Sequence, residues 1–119
     1  MKAVLMETSG GPDVMQYVEQ PTPTPRPGEV LVKVAAAGVN FMDMGVRQGQ
    51  FWTELPYPKA IGVEGAGRVL TVGEGVRDFV PGQRVAWAYA PGSYAEMVSV
   101  PAASLVSVPE GVEIGRAHV

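Results

Sequence analysis

Asn40 is the only asparagine in the chain, and a carboxamide at the entrance of a helix can donate a hydrogen bond to an oxygen that gains negative charge during a reaction. Asp43 follows one helical turn later, where an anion suits the helix dipole, and Arg47 closes the same stretch, where a cation does. Glu64 stands between glycines in apolar surroundings, so its carboxylate is expected to have a partner such as an arginine or backbone amides. Asp43 and Glu64 are read as structural. Other chemistries are excluded by what is missing. With no Cys, the chain has no thiolate nucleophile, disulfide or cysteine-ligated zinc. A single histidine, His118, builds neither a Ser/His/Asp arrangement nor a histidine-rich metal site, and no carboxylate spacing marks a glycosidase-like pair. Gly62, Gly65 and Gly67 spell GxxGxG within strand-like sequence, whereas a dinucleotide fingerprint needs GxGxxG between a strand and a helix. Tight bends or close backbone approach are the reading for these glycines.

The elements that must position these residues are short. Fifteen Gly and eleven Pro in 119 residues punctuate the chain densely, which favours a mainly β body with many turns. A first strand is expected at about Lys2 to Thr8, closed by the turn residues SGGPD, with a hairpin-like return from Met15 to Glu19. Proline at every second position from Pro21 to Pro27 forces extended backbone, and the spacing does not supply a PxxP ligand. Glu29 to Val39 alternates and then turns continuously apolar, as a strand does on passing from a half-solvated edge into a core. Asn40 then caps a short helix that Gly49 ends, and QFWTELPYPKA reads as a loop. The remaining sequence supplies further strands, for seven or so in all, a small barrel or sandwich.

The net charge is -3, and Lys and Arg are scattered singly from Lys2 to Arg116, so no basic stripe is present to bind nucleic acid. No apolar run approaches the roughly 18 residues that cross a bilayer, and Glu7 and Gly10 interrupt the N-terminus before a signal-peptide core could form. A cytoplasmic protein is expected, with neither nucleic acid nor membrane as partner.

Three segments in order carry a family resemblance: GxNxxDxxxRxG at Gly38 to Gly49, GxExxGxxxxxG at Gly62 to Gly73, and PGQRV at Pro81 to Val85. The set resembles the catalytic domain of the medium-chain dehydrogenase/reductase superfamily, and the opening MKAVLMETSGGPDVMQYVE resembles its quinone oxidoreductase, zeta-crystallin-like branch. The zinc alcohol dehydrogenases of that superfamily carry a Cys where this chain has Asn40 and a His where it has Val63, so the resemblance implies the zinc-free branch. It implies a GroES-like, partly open β-barrel that packs on a Rossmann domain, with NADPH in the cleft and a quinone-like acceptor near the nicotinamide. Asn40 would sit beside the nicotinamide and donate to the acceptor, and it is the expected catalytic residue. Arg47 and Phe51 would line the cofactor cleft with it. Phe51 and Trp52 lie where relatives often carry a Tyr, and Gly45 lies where some carry an aromatic residue, departures that suggest a wider pocket.

The resemblance runs through residues 1–113, read as one GroES-like domain, and stops at Ile114. The codons of a common sequencing adapter translate to IGRAHV followed by a stop, so residues 114–119 are expected to be a non-native tail in which His118 has no function. Without a Rossmann domain the chain is expected to be inactive alone, and to leave an apolar face and a strand edge exposed. Three functions stay open. The first is NADPH-dependent reduction of quinones or similar activated double bonds. An enoyl-thioester reductase on the same scaffold is the second, and a non-enzymatic GroES-like binding module is the third. The full-length enzyme would be a homodimer.

Overall fold

The computed structural model describes residues 1–112, so the boundary at residue 113 and the tail at 114–119 lie outside the described residues. Its elements are β1 (Lys2–Met6), β2 (Gln16–Glu19), β3 (Glu29–Ala37), α1 (Phe41–Arg47), β4 (Lys59–Ala60), β5 (Glu64–Val72), β6 (Arg84–Ala88), β7 (Met97–Pro101) and β8 (Leu105–Ser107). A three-stranded sheet runs β2-β1-β4 and a five-stranded sheet runs β7-β3-β5-β6-β8. Every one of these pairings is antiparallel. An antiparallel bridge between Ala3 and Ala95 links the two sheets, which do not close into a continuous barrel. The mainly β, partly open GroES-like architecture is thus the one the sequence implies.

Two local expectations are corrected. The loop after α1 does not run unbroken to Ala60, because Lys59 and Ala60 pair with Met6 and Leu5 of β1. In β3 the burial runs the other way from the hydropathy pattern: Val30, Leu31 and Val32 are buried, while the apolar stretch from Val34 to Ala37 alternates between half-buried and exposed. The reason lies in the neighbours. Residues 29–33 are flanked on both sides, by β5 and by β7, whereas beyond Lys33 the β7 partner ends and only β5 remains.

The main core fills one face of the larger sheet with Val30, Val32, Val69, Val85, Trp87, Val98, Val100 and Leu105. These are mostly β-branched residues, which suit a pleated surface. A second cluster, Met6, Val46, Ile61 and Val63, seats α1 against the smaller sheet. The glycines of β5 are there for close approach. Gly67 pairs with Val34 beside a register shift in β3, and a Cβ on it would run into the carbonyl oxygen of Lys33. Gly65 lies under Trp87, whose Cζ2 would stand 2.7 Å from such a Cβ. Among the described residues no helix is long and apolar enough to cross a membrane.

Candidate functional site

The site is built where β3 leaves its sheet and enters α1. Asn40 occupies the N-cap with extended dihedrals (φ -131°, ψ 159°), and Asp43 at the third helical position reaches back so that its Oδ2 accepts the Asn40 backbone N–H at 3.0 Å. That reciprocal contact fixes the entry angle of the helix. The Asn40 side chain, which faces the Asp43 backbone N–H as the other half of this capping box, also reaches β5, where its Nδ2 donates to Glu64 Oε1 at 3.1 Å. One partner of Glu64 is therefore the Asn40 carboxamide, a contact that follows from the register. The Gly38 N–H donates to the Glu64 carbonyl at 3.2 Å, which sets the two residues side by side. A Cβ on Gly38 would occupy the position of the Glu64 carboxylate, so the glycine two residues before Asn40 makes room for the contact.

Beneath the helix, Tyr94 donates its hydroxyl to the same Asp43 Oδ2 at 2.6 Å. Asp43 is buried, and its other oxygen, Oδ1, has no hydrogen-bond partner among the described residues. Burial first, and then the hydrogen bond to and charge of Asp43, push the Tyr94 phenol well above the ordinary tyrosine value. Below about pH 10 both folded and unfolded chains keep that proton, so the contribution to stability is complete there; at higher pH the unfolded chain ionises first, and the contribution is lost as pH rises. Tyr94→Phe is expected to cost about 1.5 kcal/mol at neutral pH through the lost bond to a carboxylate. It should also flatten the decline in stability above about pH 10, which denaturant unfolding at several alkaline pH values measures.

Arg47 ties the far end of α1 to the turn after β1: its Nε donates to the Gly10 carbonyl at 3.1 Å while its own carbonyl accepts the Gly10 N–H at 2.9 Å. It also lines a cavity of about 290 Å³ with Asn40, Asp43, Met44, Ile61 and Tyr94, so the structure brings Arg47 and Asn40 to one space. Phe51 is not brought there. Its ring lies across Gly45, where a Cβ would collide with Cδ2, so the space that Gly45 leaves is filled rather than added to a wider pocket. Trp52 packs on the Met6, Val46, Ile61 and Val63 cluster, and its carbonyl accepts the ammonium of buried Lys59 at 3.0 Å. That ammonium also lies 4.8 Å from the centre of the Tyr57 ring, so Lys59 holds the loop that follows the helix.

A second space, about 190 Å³, is lined by Asn40, Met42, Val63, Glu64, Ala88 and Tyr89. Val63 is buried among apolar side chains, and no three or more His, Cys, Asp or Glu residues gather as a metal-holding group among the described residues. Sequence reasoning missed Tyr89, Tyr94 and Lys59. The signals for Tyr89 are its neighbour Ala88, at the end of a strand that pairs with Glu64, and a backbone conformation that only the structure reveals.

Residues 26–110 match the alcohol dehydrogenase GroES-like domain, and the chain belongs to that family. It is 37% identical to the quinone oxidoreductase of Pseudomonas aeruginosa, over 98% of this chain and 36% of that protein. It is also 37% identical to the synaptic vesicle membrane protein VAT-1 homolog of Rattus norvegicus, over 98% of this chain and 30% of that one. The Escherichia coli quinone oxidoreductase in complex with NADPH superposes with a TM-score of 0.90 at 30% identity, over 97% of this chain and 35% of that one. Quinone oxidoreductases are thus among its relatives, as the motifs at Gly38–Gly49, Gly62–Gly73 and Pro81–Val85 imply. The chain spans about a third of the length of the curated relatives it matches.

Proposed function

We propose that this chain is the acceptor-side half of an NADPH-dependent quinone reductase that works without zinc. The observation that carries the reading is the Asn40 carboxamide, anchored through one N–H on Glu64 while its backbone is locked by Asp43, at the rim of two cavities. One amide hydrogen is spent on Glu64, and the other is free to meet an acceptor oxygen as charge builds on it. A carboxylate behind the amide strengthens this donor. Val63, buried in an apolar cluster, and Asn40, bonded to Glu64, are poor zinc ligands in this arrangement, which favours polarisation of the acceptor by an amide rather than by a metal.

The described residues fit only the nicotinamide end of the cofactor. Asn40 offers a polar group between apolar walls, whereas the glycines of β5 lie inside a sheet and form no phosphate loop. When bound, NADPH supplies the hydride. In this reading Arg47 meets polar groups of the cofactor in the cavity it shares with Asn40, while Phe51, packed across Gly45, supports α1 rather than touching the cofactor. The nucleotide phosphates are held by a Rossmann half, so residues 1–119 alone are inactive; the full-length enzyme is cytoplasmic and homodimeric. The test is NADPH oxidation by the full-length protein with a panel of quinones and enoyl thioesters. Quinone turnover supports the proposal. Turnover of enoyl thioesters alone makes it an enoyl-thioester reductase, and neither binding nor oxidation of NADPH leaves a GroES-like binding module.

A further inference from the structure

Tyr89 combines a strained backbone with an outward-facing ring. Its φ is +58°, the left-handed region that a bulky side chain adopts only under constraint, and its side chain is 76% exposed. The constraint is visible on both sides. Ala88 is held in register with Glu64 as the end pair of β5 and β6, and the Ala90 N–H donates to the Val63 carbonyl at 3.2 Å. Two residues on, the Gly92 N–H donates to the Gly62 carbonyl at 3.1 Å. The backbone on either side of Tyr89 is thus clamped to the Gly62–Glu64 segment, and the ring is turned outward on the rim of the cavity that Asn40, Glu64 and Val63 line.

Val39 and Phe41 are exposed and line a further open space of about 440 Å³ with Asn40 and Met44. Asn40 thus borders both a space rimmed by the Tyr89 ring and one walled by apolar side chains. A flat conjugated ring that carries its oxygen in its own plane can lie on one such face and direct that oxygen at the amide. Ring stacking requires offset parallel or edge-on faces with centres about 4.5–7 Å apart. A flexible acyclic chain can bury area here but has no ring face to stack.

We propose that Tyr89 is a specificity-determining residue: its ring is the stacking face that selects planar ring acceptors, quinones, over acyclic enoyl acceptors. This rests on the quinone-reductase reading of the site and narrows its substrate class. The experiment compares wild type, Tyr89→Ala and Tyr89→Phe in the full-length protein, with a naphthoquinone, an acyclic enone and NADPH each varied in turn. The alanine variant should lose about tenfold in kcat/KM for the naphthoquinone, the size of one aromatic contact, with KM for NADPH unchanged. Its turnover of the enone should stay within about twofold of wild type, and the phenylalanine variant should match wild type on the quinone, since it keeps the ring. Equal losses on both acceptors, an unchanged quinone rate, a loss as large in Tyr89→Phe, or a rise in KM for NADPH overturns the assignment of Tyr89 and leaves the reductase standing. A wild-type protein that oxidises NADPH with neither acceptor overturns the reductase and this inference together.

Discussion

Asn40→Ser in the full-length protein is expected to lower kcat for quinone reduction by about 10²- to 10³-fold, the loss typical of one removed donor to a developing oxyanion. The choice of serine separates the two jobs of this position. Serine caps a helix nearly as well as asparagine does, so α1 should keep its entrance and the melting temperature should change little. It cannot, however, replace an amide that reaches Glu64 with one hydrogen and the acceptor with another. Asn40→Asp should lose as much activity for a different reason, because it sets a second carboxylate against Glu64 in place of a 3.1 Å hydrogen bond. Kinetics and thermal melting on the same samples check both variants. A parallel fall in activity and stability for Asn40→Ser would assign the residue to the helix alone.

Gly67→Ala carries the largest expected effect on stability. Its Cβ would meet the Lys33 carbonyl oxygen and carbon and also Val32 Cγ1, 3.1 Å away, so a backbone in the middle of β3 would have to move rather than a flexible side chain. Overpacking of this kind costs about 3 kcal/mol, a large share of the margin by which a small domain stays folded. The loss should appear as a fall in the denaturant midpoint at unchanged slope. Gly75→Ala is the contrast: nothing lies within 4 Å of its Cβ, and the cost there comes only from its φ of +84°. That strain amounts to about 1 kcal/mol. If the two variants unfold alike, the close approach of β5 to β3 is not what the glycine provides.

What could be read from the residues and what could not divide by sequence distance. The N-cap of α1 was legible because Asn40, Asp43 and the closing Gly49 lie within one short segment and obey local rules. The glycines of β5 were legible as points of close approach because a strand interior tolerates them only for such a reason. Glu64 was recognised as a carboxylate needing a partner, but the Asn40 amide that bonds it lies 24 residues away, a contact that depends on the register of β3 against β5. Tyr94 meets Asp43 across 51 residues, and neither hydropathy nor turn chemistry marks that pairing. The burial of β3 was misread for the same reason: its apolar end lacks the second neighbour that covers its beginning, and neighbours belong to topology rather than to local pattern. Gly45 and Phe51 were read as two separate departures from relatives, whereas they compensate each other, the ring occupying what the glycine vacates.

The most direct test of the Asn40 assignment is a crystal structure of the full-length protein with NADPH and a naphthoquinone. An acceptor oxygen is expected within about 3.2 Å of Asn40 Nδ2. Glu64 should still accept the other amide hydrogen, and the acceptor ring should lie on the nicotinamide side of the cleft. An acceptor seated elsewhere, with Asn40 bonded only to Glu64 and no oxygen within hydrogen-bond reach of its amide, would contradict the assignment.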